Sequence, residues 1–312
     1  MNVWSAMPSD HVTRLEDTLK SGKFVLTAEI TPPVSCDKND LLDKALPLRG
    51  LADAVNVTDG AGASVHLAAV TAATLLRQAG IEPILQLTCR DRNRIALQSE
   101  LVAAAAVGVR NVLLLTGDKP DAGDQPDAKP VFDLDSLTLM ATARTLRDQG
   151  QLPNGRKVGG SARFFIGAAD LPIDPPAGWK PDGLKRKLAA GAEFVQTQFC
   201  MDAGVVRRYA ARLADEGVSA FLLIGIAPLR SARSAHWMRQ HLFGTIIPET
   251  IVTRMEQAAD ARAEGQRICV ELLQELADIK GVAGAHIMAP NNEAAVPDVM
   301  ATARQAMRQP RA

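Results

Sequence analysis

Short apolar runs alternate with amphipathic segments along the whole chain. Residues 24–30, 53–57, 82–87 and 111–115 read as strands, each closed by polar, glycine or proline residues. Residues 163–168, 194–198, 220–225 and 284–288 repeat the pattern in the second half. Helical spacing fills the intervals: residues 40–51, 66–78, 94–107, 136–148, 181–190, 203–216, 249–264, 266–278 and 297–307. A further polar helix is expected up to about residue 19, with Ser9 or Asp10 as its cap. Gly80, Gly108 and Gly191 fall where helices must stop.

Eight strands alternating with helices predict a parallel sheet with crossover connections. With one helix ahead of the first strand, the α/β class expected is a (β/α)8 TIM barrel with an extra N-terminal helix. An open doubly wound sheet would show a G-x-G-x-x-G turn after its first strand; here that turn is Thr31-Pro32-Pro33. No internal linker is visible, so residues 1–312 read as one barrel domain. The longest irregular stretch, KPDAGDQPDAKPVFDLDS after Asp118, has the length of a functional lid.

Composition removes several classes of function. Lys+Arg and Asp+Glu each number 35, so no net charge draws the chain to nucleic acid or a membrane surface. No apolar run is long enough to span a bilayer, and the N-terminus lacks a signal-peptide pattern, so a cytoplasmic protein is expected. Cys36, Cys89, Cys200 and Cys269 are widely spaced without a C-x-x-C pair, which reads as reduced thiols. His66 and His286 are isolated and suggest no metal triad.

In a parallel barrel, residues at the carboxyl ends of the strands face one cavity. Those residues are Glu29, Thr58, Asp59, Gln86, Thr88, Thr116, Asp118, Gln196 and Gln198. Residues 86–118 supply two neighbouring strand ends and so form one wall. Strand alternation puts Glu29 on the side of Thr27 and Thr31. In a dry site such a carboxyl is pushed toward its neutral form, as a general acid near neutral pH requires. The competing reading is a core glutamate neutralised by a structural Lys or Arg. Asp118 follows a glycine and equally suits an Asx turn or helix cap. Lys187, within Leu184-Lys185-Arg186-Lys187, equally suits a solvated helix face.

The segments TAEITPP, QLTCRDRNRIALQSEL, NVLLLTGDKP, AKPVFDLDS, FFIGAA and AGAEFVQTQFCMD stand in one order over nearly the whole chain. In them the sequence resembles the methylenetetrahydrofolate reductase family, in the branch with LTCRDRN and LTGD motifs. The resemblance implies a (β/α)8 barrel with FAD at the carboxyl ends of its strands. It also implies interconversion of 5,10-methylenetetrahydrofolate and 5-methyltetrahydrofolate, with NAD(P)H or another electron donor. Glu29 matches the general acid, protonating folate N5 to open the ring to an iminium that takes hydride from flavin N5. Asp118 matches the aspartate near flavin and pterin, and Gln198 the glutamine on the pterin. Thr58, Gln86, Thr88, Thr116, Gly117, Asp118, Gly167, Ala168, Arg186 and Lys187 match flavin contacts.

The chain departs from well-studied members of that family in five places. Gln86 and Thr116 replace a histidine and an arginine; the tyrosine near Ala169, the aspartate near Lys180 and the phenylalanine near Ala232 are missing. These changes imply a looser nicotinamide site and admit a protein donor or the methyltetrahydrofolate-oxidising direction. A flavin-free or non-catalytic folate-binding relative is the alternative, and homo-oligomerisation is left open.

Overall fold

The computed structural model describes residues 14–308. Eight strands close in chain order into a parallel barrel: β1 (Val25–Ile30), β2 (Ala54–Val57), β3 (Pro83–Thr88), β4 (Asn111–Leu115), β5 (Phe165–Asp170), β6 (Phe194–Phe199), β7 (Phe221–Ile226) and β8 (Val282–Ile287). Pairing of β1 with β8 completes the ring, with Val25 opposite Gly284. A Cβ at Gly284 would lie 2.4 Å from the Val25 carbonyl oxygen, so closure at this seam requires glycine.

Among the described residues eleven helices surround or close the barrel: α1 (Arg14–Lys20), α2 (Lys38–Ala45), α3 (Ala69–Gln78), α4 (Arg94–Ala106), α5 (Ser136–Gln149), α6 (Asp182–Ala190), α7 (Ala203–Asp215), α8 (Ala232–His241), α9 (Glu249–Gln257), α10 (Ala261–Ala277) and α11 (Val296–Arg308). Several begin on a side-chain cap that satisfies otherwise orphaned amides: Asp37, Asn93, Asp135, Asp202, Ser231 and Asp260. Among the described residues no helix is long and apolar enough to cross a membrane. All four cysteines are free; burial pushes the Cys89 thiol up to about 11 and Cys200 to about 12.

The interior is layered. Val25, Ala54, Ile84, Leu113, Phe165, Phe194 and Leu223 form an apolar floor, closed from below by Leu15 and Leu19 of α1. Phe165 and Phe194 stack with ring centroids 5.0 Å apart. Gly167 makes room for this: a Cβ there would meet the Phe194 ring at 2.3 Å. Nearer the carboxyl ends the interior turns polar, with Thr27, Asn56, Gln86, Gln196 and His286 all buried.

Several predicted boundaries move. The fifth strand runs from Phe165 to Asp170 rather than over 163–168, because the charge at its end is satisfied by neighbours. The sixth continues to Phe199, across a register shift against β7 between Gln196 and Phe199. The helix expected over 66–78 starts only at Ala69, and His66 stays in the loop between the Pro32 and Ala61 carbonyls. The segment 249–264 is two helices, broken where Asp260 caps α10. The N-terminal helix is described from Arg14, and its expected caps at Ser9 and Asp10 lie outside the described residues.

Candidate active site at the mouth of the barrel

A cavity of about 320 Å³ opens at the carboxyl ends of the strands, and Glu29, Gln86, Asp170, Lys187, Gln198 and His286 are in its wall. Strand pleating explains the convergence. Residues two apart along β1, β3 and β6 point to the same side, so Thr27 and Glu29, or Gln196 and Gln198, stand one above the other.

Glu29 is held without a cationic side chain. Gln86 Nε2 donates to Glu29 Oε2 at 2.8 Å, and His286 Nε2 lies 3.6 Å from the same oxygen. The structural Lys or Arg considered as its neutraliser is not there: among the described residues Glu29 makes no ion pair with either. Its side chain is 23% exposed, so the site is open to solvent rather than dry. His286, set aside in the sequence as isolated, is the neighbour that pattern reading missed. Its signal was a polar residue in the middle of an apolar strand, as with Asn56 in β2.

On the far wall, Lys187 donates to the Ala169 carbonyl and lies 3.5 Å from Asp170 Oδ1. The other Asp170 oxygen accepts from the hydroxyl of Tyr209, a fully buried residue. Burial, then the Asp170 charge, raises the Tyr209 pKa far above that of a free phenol. Asp170 was outside the sequence-based set because the strand was ended two residues early. Gln198 donates through Nε2 to the Phe243 carbonyl at 3.2 Å, tying β6 to the chain after α8.

The remaining residues of interest are dispersed around the mouth. Thr58 is buried, and its Oγ1 finds no hydrogen-bond partner. Thr88 is engaged structurally: its amide and hydroxyl both donate to Asp59, at 2.7 and 3.0 Å, and Arg92 donates to the same carboxylate. Asp118 is exposed and caps nothing; the cap of α5 is Asp135, in a reciprocal pair with Thr138. Thr116 is exposed and accepts from the Ser136 amide. Gly117 has φ 92°, and a Cβ there would lie 3.0 Å from that of Thr88, so the end of β4 can pass closely only as glycine. Gly167 and Ala168 are buried within the barrel wall, while Arg186 is exposed on α6. Glu29, Gln86, Gln198 and Lys187 therefore line one cavity; Thr58, Thr88, Thr116, Gly117, Asp118, Gly167, Ala168 and Arg186 do not line it.

The loop after β4 is more ordered than a free lid. It contains a 3₁₀ turn at Pro120–Ala122, and Gly123 packs so tightly that a Cβ would lie 2.0 Å from the Ala63 carbonyl oxygen. It therefore rests on the loop after β2. Of the departing positions, Ala169 lines the cavity, Lys180 is exposed, and Ala232 opens α8.

A closed parallel barrel with an acid and an amide set in a half-open cavity at its carboxyl ends defines an enzyme-type (β/α)8 protein. The methylenetetrahydrofolate reductase profile matches residues 14–304, and the chain belongs to that family. A Caenorhabditis elegans protein named "Probable methylenetetrahydrofolate reductase (NADPH)" is 26% identical over 237 residues, covering 73% of this chain and 33% of that protein. "Methylenetetrahydrofolate reductase 2" of Saccharomyces cerevisiae is 26% identical, with 76% and 39% covered. An Oryza sativa subsp. japonica protein named "Probable methylenetetrahydrofolate reductase (NADH)" is 23% identical, with 90% and 48% covered. The chain thus spans from a third to about half the length of these relatives. The crystal structure of DmoA from Hyphomicrobium sulfonivorans shares the fold, with a TM-score of 0.58 at 12% identity over 92% of this chain and 89% of that one.

Proposed function

We propose that the chain interconverts 5,10-methylenetetrahydrofolate and 5-methyltetrahydrofolate, with Glu29 as general acid. The observation that carries this reading is the setting of Glu29. A carboxylate kept for structure is normally neutralised by a cation, whereas this one stands in a cavity wall beside an amide and an imidazole. Such a group can take and give a proton without first breaking an ion pair.

Bond balance fixes where that proton goes. The methyl product keeps its one-carbon unit on folate N5, so the bond that breaks is the one from that carbon to N10. The nitrogen that leaves takes the proton, and hydride arrives at the carbon. The N5 protonation drawn from the family resemblance therefore moves to N10, because the N5 lone pair is needed to form the carbon–nitrogen double bond of the iminium as N10 leaves. In this reading Glu29 holds the proton and Gln198, which lines the same cavity, orients the pterin.

FAD is the cofactor the family implies, and the mouth of the barrel suits it. The Thr58 hydroxyl is buried without a partner and asks for one from outside the chain. Lys187 brings an ammonium to the cavity, Arg186 precedes it on the same helix, and Gly117 removes a side chain from the end of β4. Gln86, Thr88, Thr116 and Asp118 are further polar positions on that side; Gly167 and Ala168 have only backbone to offer. When bound, FAD supplies the hydride, drawn from NAD(P)H or another donor. A second reading, the methyltetrahydrofolate-oxidising direction, is favoured by the alanines at 169 and 232, where well-studied family members carry a flavin-contacting tyrosine and the phenylalanine of the folate and nicotinamide pocket.

The test is a visible spectrum after incubation with FAD, followed by turnover in both directions. A flavin band and folate turnover are expected. Glu29→Gln is expected to keep the band and lose about 10²- to 10⁴-fold in rate. A wild-type rate in that variant overturns the acid assignment, and no flavin uptake overturns the cofactor.

A further inference from the structure

We propose that His286 is the positioning residue of Glu29, and that a buried chain of hydrogen bonds behind it decides which carboxylate oxygen carries the acid proton. The inference rests on the reading of Glu29 as the acid.

The chain of bonds begins on β2 and β6. Asn56 Nδ2 donates to Gln196 Oε1 at 2.7 Å, and Gln196 Nε2 returns a bond to Asn56 Oδ1 at 3.0 Å. This reciprocal pair fixes both amides. The second hydrogen on Gln196 Nε2 is left for Thr27 Oγ1, at 3.2 Å, with His286 Nδ1 at the same distance. Thr27 has one hydroxyl hydrogen of its own to give, and its Oγ1 lies 3.0 Å from His286 Nδ1 and 3.4 Å from the Ala285 carbonyl. The shorter path leads to the ring. Nδ1 is accordingly assigned as the acceptor, and a neutral imidazole then carries its single hydrogen on Nε2.

That hydrogen faces Glu29. Nε2 lies 3.6 Å from Oε2, beyond hydrogen-bond length and within the range over which catalytic contacts tighten as substrate binds. Oε2 already accepts from Gln86, so both neighbouring N–H groups belong to this one oxygen. Oε1 accepts nothing from any described residue. A carboxyl hydrogen on Oε2 would face two N–H groups; on Oε1 it faces none. The acid proton consequently sits on Oε1, and Oε2 serves as the anchor.

A histidine buried only to fill space behaves differently. It would tolerate any ring of equal volume, and its loss would add to the loss of Glu29 rather than overlap with it. Side chains of β1, β2, β6 and β8 form one hydrogen-bonded set that reaches this carboxylate through His286, with Gln86 of β3 on the same oxygen, which packing alone does not require.

The full chain labelled with ¹⁵N-histidine gives the first test, its His286 signals assigned by their disappearance in His286→Gln. The expected spectrum is a neutral ring with Nε2 protonated and Nδ1 bare; a proton on Nδ1 overturns the proposal. The second test is kinetic. His286→Phe keeps a ring but no donor and is expected to lower kcat for the folate reaction by roughly ten- to a hundredfold. His286→Gln, which can place an N–H near the Nε2 position, is expected to recover most of the rate. In a Glu29→Gln background, His286→Phe is expected to cost nothing further. Equal losses in the Gln and Phe variants, or additive losses in the double variant, overturn the positioning role. If the wild-type chain turns over no folate, the proposed function has failed, and the nitrogen spectrum still decides the ring's orientation.

Discussion

The floor and the mouth of this barrel are built to different rules, although they are one pleat apart. Val25, Ile84, Phe165 and Phe194 fill the floor; Thr27, Gln86 and Gln196 follow them on the same strands. The floor needs volume and shape, and a swap that conserves both is tolerated. The polar tier needs every partner, because one missing group leaves another buried and unsatisfied. Stability is thus concentrated below and chemical precision above.

The sharpest way to break that comparison is to empty the floor. Phe194→Ala removes a fully buried ring stacked on Phe165, and about 3–5 kcal/mol of stability is expected to go with it in urea unfolding. Turnover per folded molecule is expected to stay near wild type. A fall in turnover matching Glu29→Gln would show that floor and tier are not separable.

A smaller stability change should carry a larger chemical one in the tier. Gln196→Leu strands the Asn56 amide and frees Thr27, which is expected to cost about 1–3 kcal/mol. Here the rate of the proposed folate reaction is expected to fall while the fold persists, as read by circular dichroism beside turnover. Loss of fold without any separate loss of rate would place Gln196 with the floor.

The gentlest test uses pH. The chain has a single tyrosine, Tyr209, held against Asp170, and its folded pKa is raised by burial and by that charge. An acid whose folded pKa is raised contributes stability that is complete below its unfolded value, about 10, and is lost as pH rises beyond it. Ultraviolet titration is therefore expected to show no tyrosinate before unfolding, and alkaline unfolding to be eased above that value. A tyrosinate signal in folded protein near pH 10 would contradict the buried contact.

Much of this was legible in the chain. Eight apolar runs between helical segments pointed to the closed parallel barrel because strands buried on both faces leave a continuous apolar signature. Glu29, Gln86 and Gln198 were legible as polar groups at strand ends, Lys187 only through the family resemblance, and all four line the same cavity. His286 and Asn56 were not, because their partners lie on other strands and only closure brings those strands together. Asp170 was lost for a local reason: a charge was read as the end of a strand, when Tyr209 from a distant helix satisfies it. The long loop after β4 read as a lid, while its contact with Ala63 depends on a glycine fit that periodicity does not reveal.

The α1 leucines beneath the stacked phenylalanines make the barrel a cup rather than a tube. Among the described residues the floor beneath the polar tier is lined by apolar side chains. On the proposed function, the proton that Glu29 gives up would return through the same opening that the folate would occupy. Restoring the acid would thereby be tied to the departure of product, and the site would be reset by emptying the cup.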